Sequence, residues 1–151
     1  MINSARYVHT NLIAQDWRAL AEFYCSVFGC VSVPPERDYS GSELVAGTGV
    51  KGARLQGVHL RLPGCGPDGP TLEIYTYSEL ASSSEPAVNR TGFGHLAFDV
   101  PSVAEARDQV LQAGGRAIGE IVRLKTSAGA EVTWCYVTDP EGNILELQSW
   151  R

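Results

Sequence analysis

The sequence lacks the features of several large functional classes. No apolar run approaches the roughly 20 residues that a membrane-spanning helix needs, and the N-terminus has no apolar signal-peptide core. The 12 Lys and Arg residues are outnumbered by 17 Asp and Glu, so the basic face of a nucleic-acid-binding protein is not expected. We therefore expect a soluble cytoplasmic protein that binds neither nucleic acid nor membrane.

Paired cysteines are also missing. The four cysteines, Cys25, Cys30, Cys65 and Cys135, show no C-x-x-C spacing. In the reducing cytoplasm such residues are most simply buried free thiols. A structural zinc site built from cysteines is therefore not predicted.

What the chain does contain is an internal repeat. His9 and His95 each lie in a short apolar segment that predicts a strand, and each is followed at equal distance by a helix-capping residue, Asp16 or Ser102. Each helix then shows apolar residues at helical spacing and is predicted to stop at glycine, at Gly29 and at Gly114-Gly115.

Each half is predicted to close with strands, the last of which carries one glutamate. Glu73 lies between Leu72 and Ile74, and Glu146 between Leu145 and Leu147, so alternation separates each glutamate from its apolar neighbours. The predicted class is α+β, with a first βαβββ module at residues 1–80, a linker at 81–91 and a second βαβββ module at 92–151. Residues 43–46 are predicted to form a helical turn.

The repeat predicts that His9, Glu73, His95 and Glu146 meet at one site. Imidazole and carboxylate groups are common ligands of divalent first-row metals, so these four residues are the candidate metal ligands. Taken singly, a strand histidine is more often an ordinary hydrogen-bonded residue and a strand glutamate is usually exposed to solvent. The remaining histidine, His59, has no counterpart in the repeat and is expected to be structural or exposed.

The motifs resemble the vicinal oxygen chelate superfamily, which includes glyoxalase I, extradiol dioxygenases and bleomycin resistance proteins. The resemblance rests most on residues 94–100 and on residues 138–147, which contain His95 and Glu146. It implies two βαβββ modules that form a cupped mixed sheet with helices outside, commonly in a homodimer. It also implies one divalent metal ion (Ni, Zn, Co, Mn or Fe) and a small-molecule substrate with vicinal oxygens.

The same resemblance implies a chemistry. With two histidines and two glutamates as ligands, the chain is most similar to glyoxalase I, a lyase that moves a proton next to a metal-chelated carbonyl through an enediolate. Glu146 matches the position of the catalytic base, and Glu73 is the second candidate. The alternatives are an Fe(II) extradiol dioxygenase, which would leave the Glu73 position without a ligand, and a non-enzymatic protein that binds a drug or metabolite.

Overall fold

The computed structural model describes residues 4–82 and 85–151 of the chain. These residues form two compact units that divide between residues 82 and 83. The predicted linker at residues 81–91 spans that division, and its exact bounds stay a prediction.

The first unit is a four-stranded sheet with two helices. Its elements are β1 (His9–Ile13), α1 (Trp17–Phe28), β2 (Val31–Ser40), α2 (Ser42–Thr48), β3 (Arg54–Arg61) and β4 (Thr71–Tyr77). The strand order is β1-β4-β3-β2, in which β1 runs parallel to β4 and the other pairs are antiparallel. The helical turn predicted at residues 43–46 is confirmed as part of α2.

The second unit repeats this arrangement with one helix. Its elements are β5 (Leu96–Asp99), α3 (Val103–Gln112), β6 (Arg116–Lys125), β7 (Glu131–Thr138) and β8 (Ile144–Trp150). The strand order is β5-β8-β7-β6, again with one parallel pair, β5 with β8. The predicted α+β class and its duplicated βαβββ modules are confirmed.

The predicted starts and ends of α1 and α3 are confirmed. The Asp16 carboxylate accepts the backbone N–H groups of Arg18 and Ala19, and Gly29 ends α1 in the left-handed conformation. The Ser102 hydroxyl accepts one N–H at the start of α3. That helix ends at Gln112 with Ala113 as its cap, and Gly114 follows with a positive φ of 93° while the Gly115 N–H donates to the Val110 carbonyl, so the predicted stop at Gly114-Gly115 is confirmed.

Two of the strands that the βαβββ pattern requires, β2 and β6, were not located in the sequence, because neither has the regular pattern of a strand. β2 contains Pro34-Pro35 and β6 contains Gly119, and each has a register shift against its neighbour. Both are edge strands of their sheets, where proline and bulges are tolerated. Arg123 and Lys125 are exposed residues of β6.

The core of each unit follows strand alternation. Leu72 and Ile74 in β4 and Leu145 and Leu147 in β8 are all 0% exposed, as their spacing around each glutamate predicts.

The cysteines depart from the sequence prediction. All four cysteines are free thiols, but only Cys30 and Cys135 are buried; the expectation of burial is wrong for exposed Cys65 and is met only in part by Cys25, which is intermediate. This residue lies in the glycine- and proline-rich turn between β3 and β4, where there is no core to cover it.

None of the helices in the described residues is both long enough and apolar enough to cross a membrane.

Candidate metal centre

In the first unit the topology brings His9 next to Glu73. β1 and β4 are parallel neighbours in a register that aligns Asn11 with Glu73, which places His9 at the start of β1 on the same face. The His9 Nδ1 atom lies 3.3 Å from Glu73 Oε1. The glutamate side chain is 13% exposed and the histidine 44%, so the carboxylate lies deeper than its partner.

A third residue joins this pair, and the sequence prediction missed its role. His59 on β3 is the antiparallel register partner of Glu73. Its Nε2 atom lies 3.2 Å from Glu73 Oε1 and 2.7 Å from the Tyr75 hydroxyl. The expectation that His59 is merely structural or exposed is therefore too weak, because it is half-buried and contacts a candidate ligand.

The surroundings of this cluster shift two pKa values. Burial lowers the pKa of His59, the Glu73 carboxylate opposes that shift, and the Arg37 guanidinium and His9 add to it. Burial also raises the pKa of Tyr75 to about 12, with the nearby Glu73 charge as the next cause. Both groups are therefore neutral at pH 7.

Arg37 on β2 lies near this cluster. It is the register partner of Gly57, which is in turn the partner of Tyr75, so it lies on the same face as the cluster. Its Nη1 atom is buried without a hydrogen-bond partner among the described residues.

In the second unit the equivalent pair is His95 and Glu146. His95 lies immediately before β5, so the prediction that both histidines lie within strands is wrong for this residue. β5 and β8 are aligned so that Ala97 is the partner of Glu146, which repeats the two-residue offset seen between His9 and Asn11. The His95 Nε2 atom lies 3.2 Å from Glu146 Oε2.

Tyr136 occupies the place in the second unit that His59 occupies in the first. It is the antiparallel register partner of Glu146, and its ring lies 5.1 Å from that of His95. Burial raises the pKa of Tyr136, with further contributions from the Glu146 charge and from a hydrogen bond to Glu146. The phenol is therefore a neutral donor beside the carboxylate.

The donor set fits a divalent metal. Two ligands that bind at adjacent octahedral positions about 2.1 Å from a metal lie about 3.0 Å apart. The imidazole-to-carboxylate separations of 3.3 Å and 3.2 Å are close to that spacing. Within the described parts of the chain, no group of three or more His, Cys, Asp or Glu side chains is arranged to hold a metal by itself. The pair that recurs in both units is one histidine with one glutamate, and in the first unit His59 lies at the same spacing from Glu73, at 3.2 Å.

A cavity of about 380 Å³ lies elsewhere in the first unit. It is lined by residues near the start of α1 and along β3 and β4, including Trp17, Arg54 and Gln56. The Arg54 guanidinium is already bound to Asp38, with an Nη2-to-Oδ2 distance of 2.8 Å. None of the four candidate ligands lines this cavity.

Comparison with known proteins gives a family-level match over nearly the whole chain. Residues 6–147 match the family model described as the Glyoxalase/Bleomycin resistance protein/Dioxygenase superfamily. The matched range contains all four candidate ligands and both of their register partners, His59 and Tyr136.

Sequence identity to individual relatives is low. The chain is 29% identical over 147 residues to a lactoylglutathione lyase from Shigella flexneri, which covers 94% of this chain and 90% of the relative. It is 33% identical over 67 residues to a glyoxalase 1 from Caenorhabditis briggsae, a match that spans 43% of this chain but only 24% of that protein.

The solved structures support the fold. A glyoxalase family protein from Bacillus cereus has a TM-score of 0.76 at 17% identity, with coverage of 99% of this chain and 95% of the other. At that identity the likeness concerns the fold alone.

Proposed function

This chain belongs to the glyoxalase/bleomycin resistance protein/dioxygenase superfamily, and on that premise we propose that it is a divalent-metal-dependent lyase or isomerase of the glyoxalase I type. The observation that carries the proposal is the duplicated pair of donors, His9 with Glu73 and His95 with Glu146. Packing of the sheets alone does not explain why each unit places a histidine beside a partly buried carboxylate.

In this proposal the four side chains hold one metal ion, two from each unit. Members of the superfamily generally use divalent metals, and the nitrogen and oxygen donors here suit Ni, Zn, Co, Mn or Fe. The two contributing units belong either to one chain or to two chains of a homodimer, as in related proteins. A site shared between chains would make activity depend on protein concentration.

The residues themselves would handle the proton. When bound, the metal would stabilise the negative charge that develops on a carbonyl oxygen while the neighbouring C–H bond breaks. A carboxylate oxygen of Glu146 would take that proton and return it to the adjacent carbon, with Glu73 as the second candidate for this role. The substrate would be a small molecule with two neighbouring oxygens.

The donors argue against the dioxygenase alternative. A ring-cleaving iron enzyme of this superfamily needs two histidines and one carboxylate, so the Glu73 position would not be a ligand. Here Glu73 Oε1 lies 3.3 Å from the His9 imidazole and 3.2 Å from the His59 imidazole. Such contacts orient the carboxylate and favour its role as a metal ligand.

The test is restoration of activity in metal-depleted protein. The depleted protein would receive each of the five metals in turn. Formation of lactoylglutathione from the hemithioacetal of methylglyoxal and glutathione would then be followed together with oxygen consumption. We expect activity with one or more metals and no oxygen uptake, and loss of activity in His95→Ala but not in Glu120→Gln, which removes an exposed carboxylate of β6.

Other outcomes select the alternatives. Oxygen uptake with catechols, restored by iron alone, would replace the proposal with the dioxygenase. Tight binding of a small molecule by metal-free protein, with no catalysis under any metal, would replace it with a binding protein.

A further inference from the structure

Each glutamate faces one side chain directly across an antiparallel ladder. For Glu73 on β4 this residue is His59 on β3, and for Glu146 on β8 it is Tyr136 on β7. Directly opposed residues on one face have β-carbons about 4.5–5.5 Å apart, so they are the strongest candidates to orient each carboxylate. Such a role is invisible to a search for identical residues in the two halves.

The His59 ring presents one nitrogen to two oxygens. Its Nε2 atom lies 2.7 Å from the Tyr75 hydroxyl and 3.2 Å from Glu73 Oε1. With the proton on Nε2, the ring directs a donor towards both oxygens. With the proton on Nδ1, the Nε2 lone pair would accept a hydrogen bond from the Tyr75 hydroxyl but would also face the anionic Glu73 carboxylate at 3.2 Å. The Nε2–H tautomer is therefore favoured.

The His59 ring also packs against Tyr75. Tyr75 is 7% exposed, and its ring stands edge-on to the His59 ring with the centroids 6.0 Å apart. Gly57, the register partner of Tyr75, provides the room: a β-carbon there would collide with the Tyr75 ring and the Ile74 carbonyl. The absence of a side chain at position 57 lets Tyr75 pack closely and hold His59.

We propose that His59 is a positioning residue, braced by Tyr75, whose Nε2–H orients the Glu73 carboxylate for metal binding. This inference rests on the proposed function, since it assumes that Glu73 is a ligand. It leaves the set of four ligands unchanged, because the His59 nitrogen that faces Glu73 is the one that carries the proton. Loss of such an outer partner typically weakens metal affinity about 10–100-fold.

The experiment is a Co²⁺ titration of metal-depleted protein, read by the visible absorption of the bound ion. His59→Phe keeps a ring of similar size and removes the donor, whereas His59→Gln keeps an N–H near the place of Nε2. We expect about 10–100-fold weaker Co²⁺ binding with altered band intensities in His59→Phe, and recovery to within about 5-fold in His59→Gln.

The brace is tested by a matched pair of tyrosine variants. Tyr75→Phe removes the hydroxyl that holds His59, and Tyr77→Phe removes the hydroxyl of the next tyrosine on the same face of β4. We expect about 3–10-fold weaker Co²⁺ binding in the first, below the range for a direct outer-shell partner, and no change in the second. Equal loss of Co²⁺ affinity in the two variants would contradict the proposal that the Tyr75 hydroxyl holds His59 in place.

Two results would overturn the role of His59. One is unchanged Co²⁺ affinity and spectrum in His59→Phe while wild-type protein binds Co²⁺, which leaves the proposed function standing. The other is a loss as complete as that of His9→Ala with no recovery in His59→Gln, which would make His59 a ligand.

A metal-free measurement separates this inference from the proposed function. Long-range ¹⁵N correlation spectra of the metal-free protein report the His59 tautomer directly. A neutral Nε2–H ring that changes in Tyr75→Phe supports the arrangement even if no metal binds and the proposed function fails. An Nδ1–H ring overturns it whatever the metal result.

Discussion

The two units build the same carboxylate position and surround it differently. In both, a glutamate on the last strand lies between a parallel and an antiparallel neighbour, and a histidine comes two residues before its parallel register partner. Across the antiparallel ladder, however, Glu73 faces an imidazole and Glu146 faces a phenol. The duplicated topology therefore fixes where the candidate ligands lie, and the two units differ in the single residue that faces each glutamate from the adjacent strand.

The aromatic residue that contacts the glutamate's register partner also lies on a different strand in each unit. In the first unit the bulky residue is Tyr75 on β4, opposite Gly57 on β3. At the matching places in the second unit, Gln148 on β8 lies opposite Trp134 on β7, and the Trp134 ring contacts Tyr136 edge-on at 5.0 Å. In each unit one aromatic ring therefore contacts the register partner of the glutamate, and the two rings belong to different strands.

The largest expected effect separates the two glutamates. Because we assign Glu146 as the base, Glu146→Gln should lower kcat by about 10²–10⁴-fold at saturating metal. Glu73→Gln keeps an oxygen donor and should lower kcat by less than about 10-fold under the same conditions, a small fraction of a general-base contribution. Steady-state kinetics with metal in excess provides the measurement. The opposite order of effects would assign the base to the first unit.

The next prediction tests whether the buried cores of the two units contribute equally to the free energy of unfolding. Leu72 and Leu145 precede the two glutamates and are both 0% exposed. Each Leu→Ala change should lower the free energy of unfolding by about 2–5 kcal/mol through lost contacts and the cavity left behind. Urea denaturation followed by tryptophan fluorescence measures both. A loss below about 1 kcal/mol in either variant would show that its strand packs less tightly than the structure indicates.

A smaller effect contrasts the two helix caps. Asp16 accepts two N–H groups at 3.0 and 3.1 Å, whereas the Ser102 hydroxyl accepts one at 3.4 Å. Cap removal typically costs about 0.5–2 kcal/mol, so Asp16→Ala should approach the upper end and Ser102→Ala the lower. Equal losses in thermal or urea unfolding would contradict the difference in cap geometry.

The smallest effect concerns thiol reactivity. Burial raises the pKa of Cys30 to about 12, with Cys25 as a second cause, and burial also raises the pKa of Cys135. At pH 8 a thiol reagent should therefore modify exposed Cys65 first and leave Cys30 and Cys135 unmodified until the protein unfolds. Since the folded pKa of Cys30 exceeds its ordinary value, its stabilising contribution is complete below pH 9. That contribution is lost as the pH rises from 9 towards 12.

Rapid modification of Cys30 in native protein would contradict this burial. Cys65→Ser is the control, because it should abolish the fast phase without changing the free energy of unfolding.

Much of the fold could be predicted because the repeat combines several independent signals. Asp16, Gly29 and Ser102 mark helix ends through local chemistry, and the apolar residues beside Glu73 and Glu146 mark buried strands. The edge strands β2 and β6 were expected from the βαβββ pattern but could not be located, because Pro34-Pro35 and Gly119 interrupt the regular alternation of a strand and only pairing with a neighbour identifies them.

The site was predictable only in part, for a related reason. His9, Glu73, His95 and Glu146 recur as the same residue types at matching places, so the sequence alone pairs them. His59 and Tyr136 are different residue types, and their equivalence lies in strand register. The contact of His59 with Tyr75 further depends on the close packing of Tyr75 against Gly57, which a sequence pattern does not reveal.

The central claim is that each unit contributes one histidine and one glutamate to a single metal ion. Elemental mass spectrometry, on protein purified without chelators or a metal-binding tag, tests it most directly. The account predicts about one equivalent of a divalent first-row metal per chain, lost in both His9→Ala and His95→Ala because each removes a ligand. Full metal retention in either variant, or no metal in wild-type protein after exposure to each ion, would contradict it.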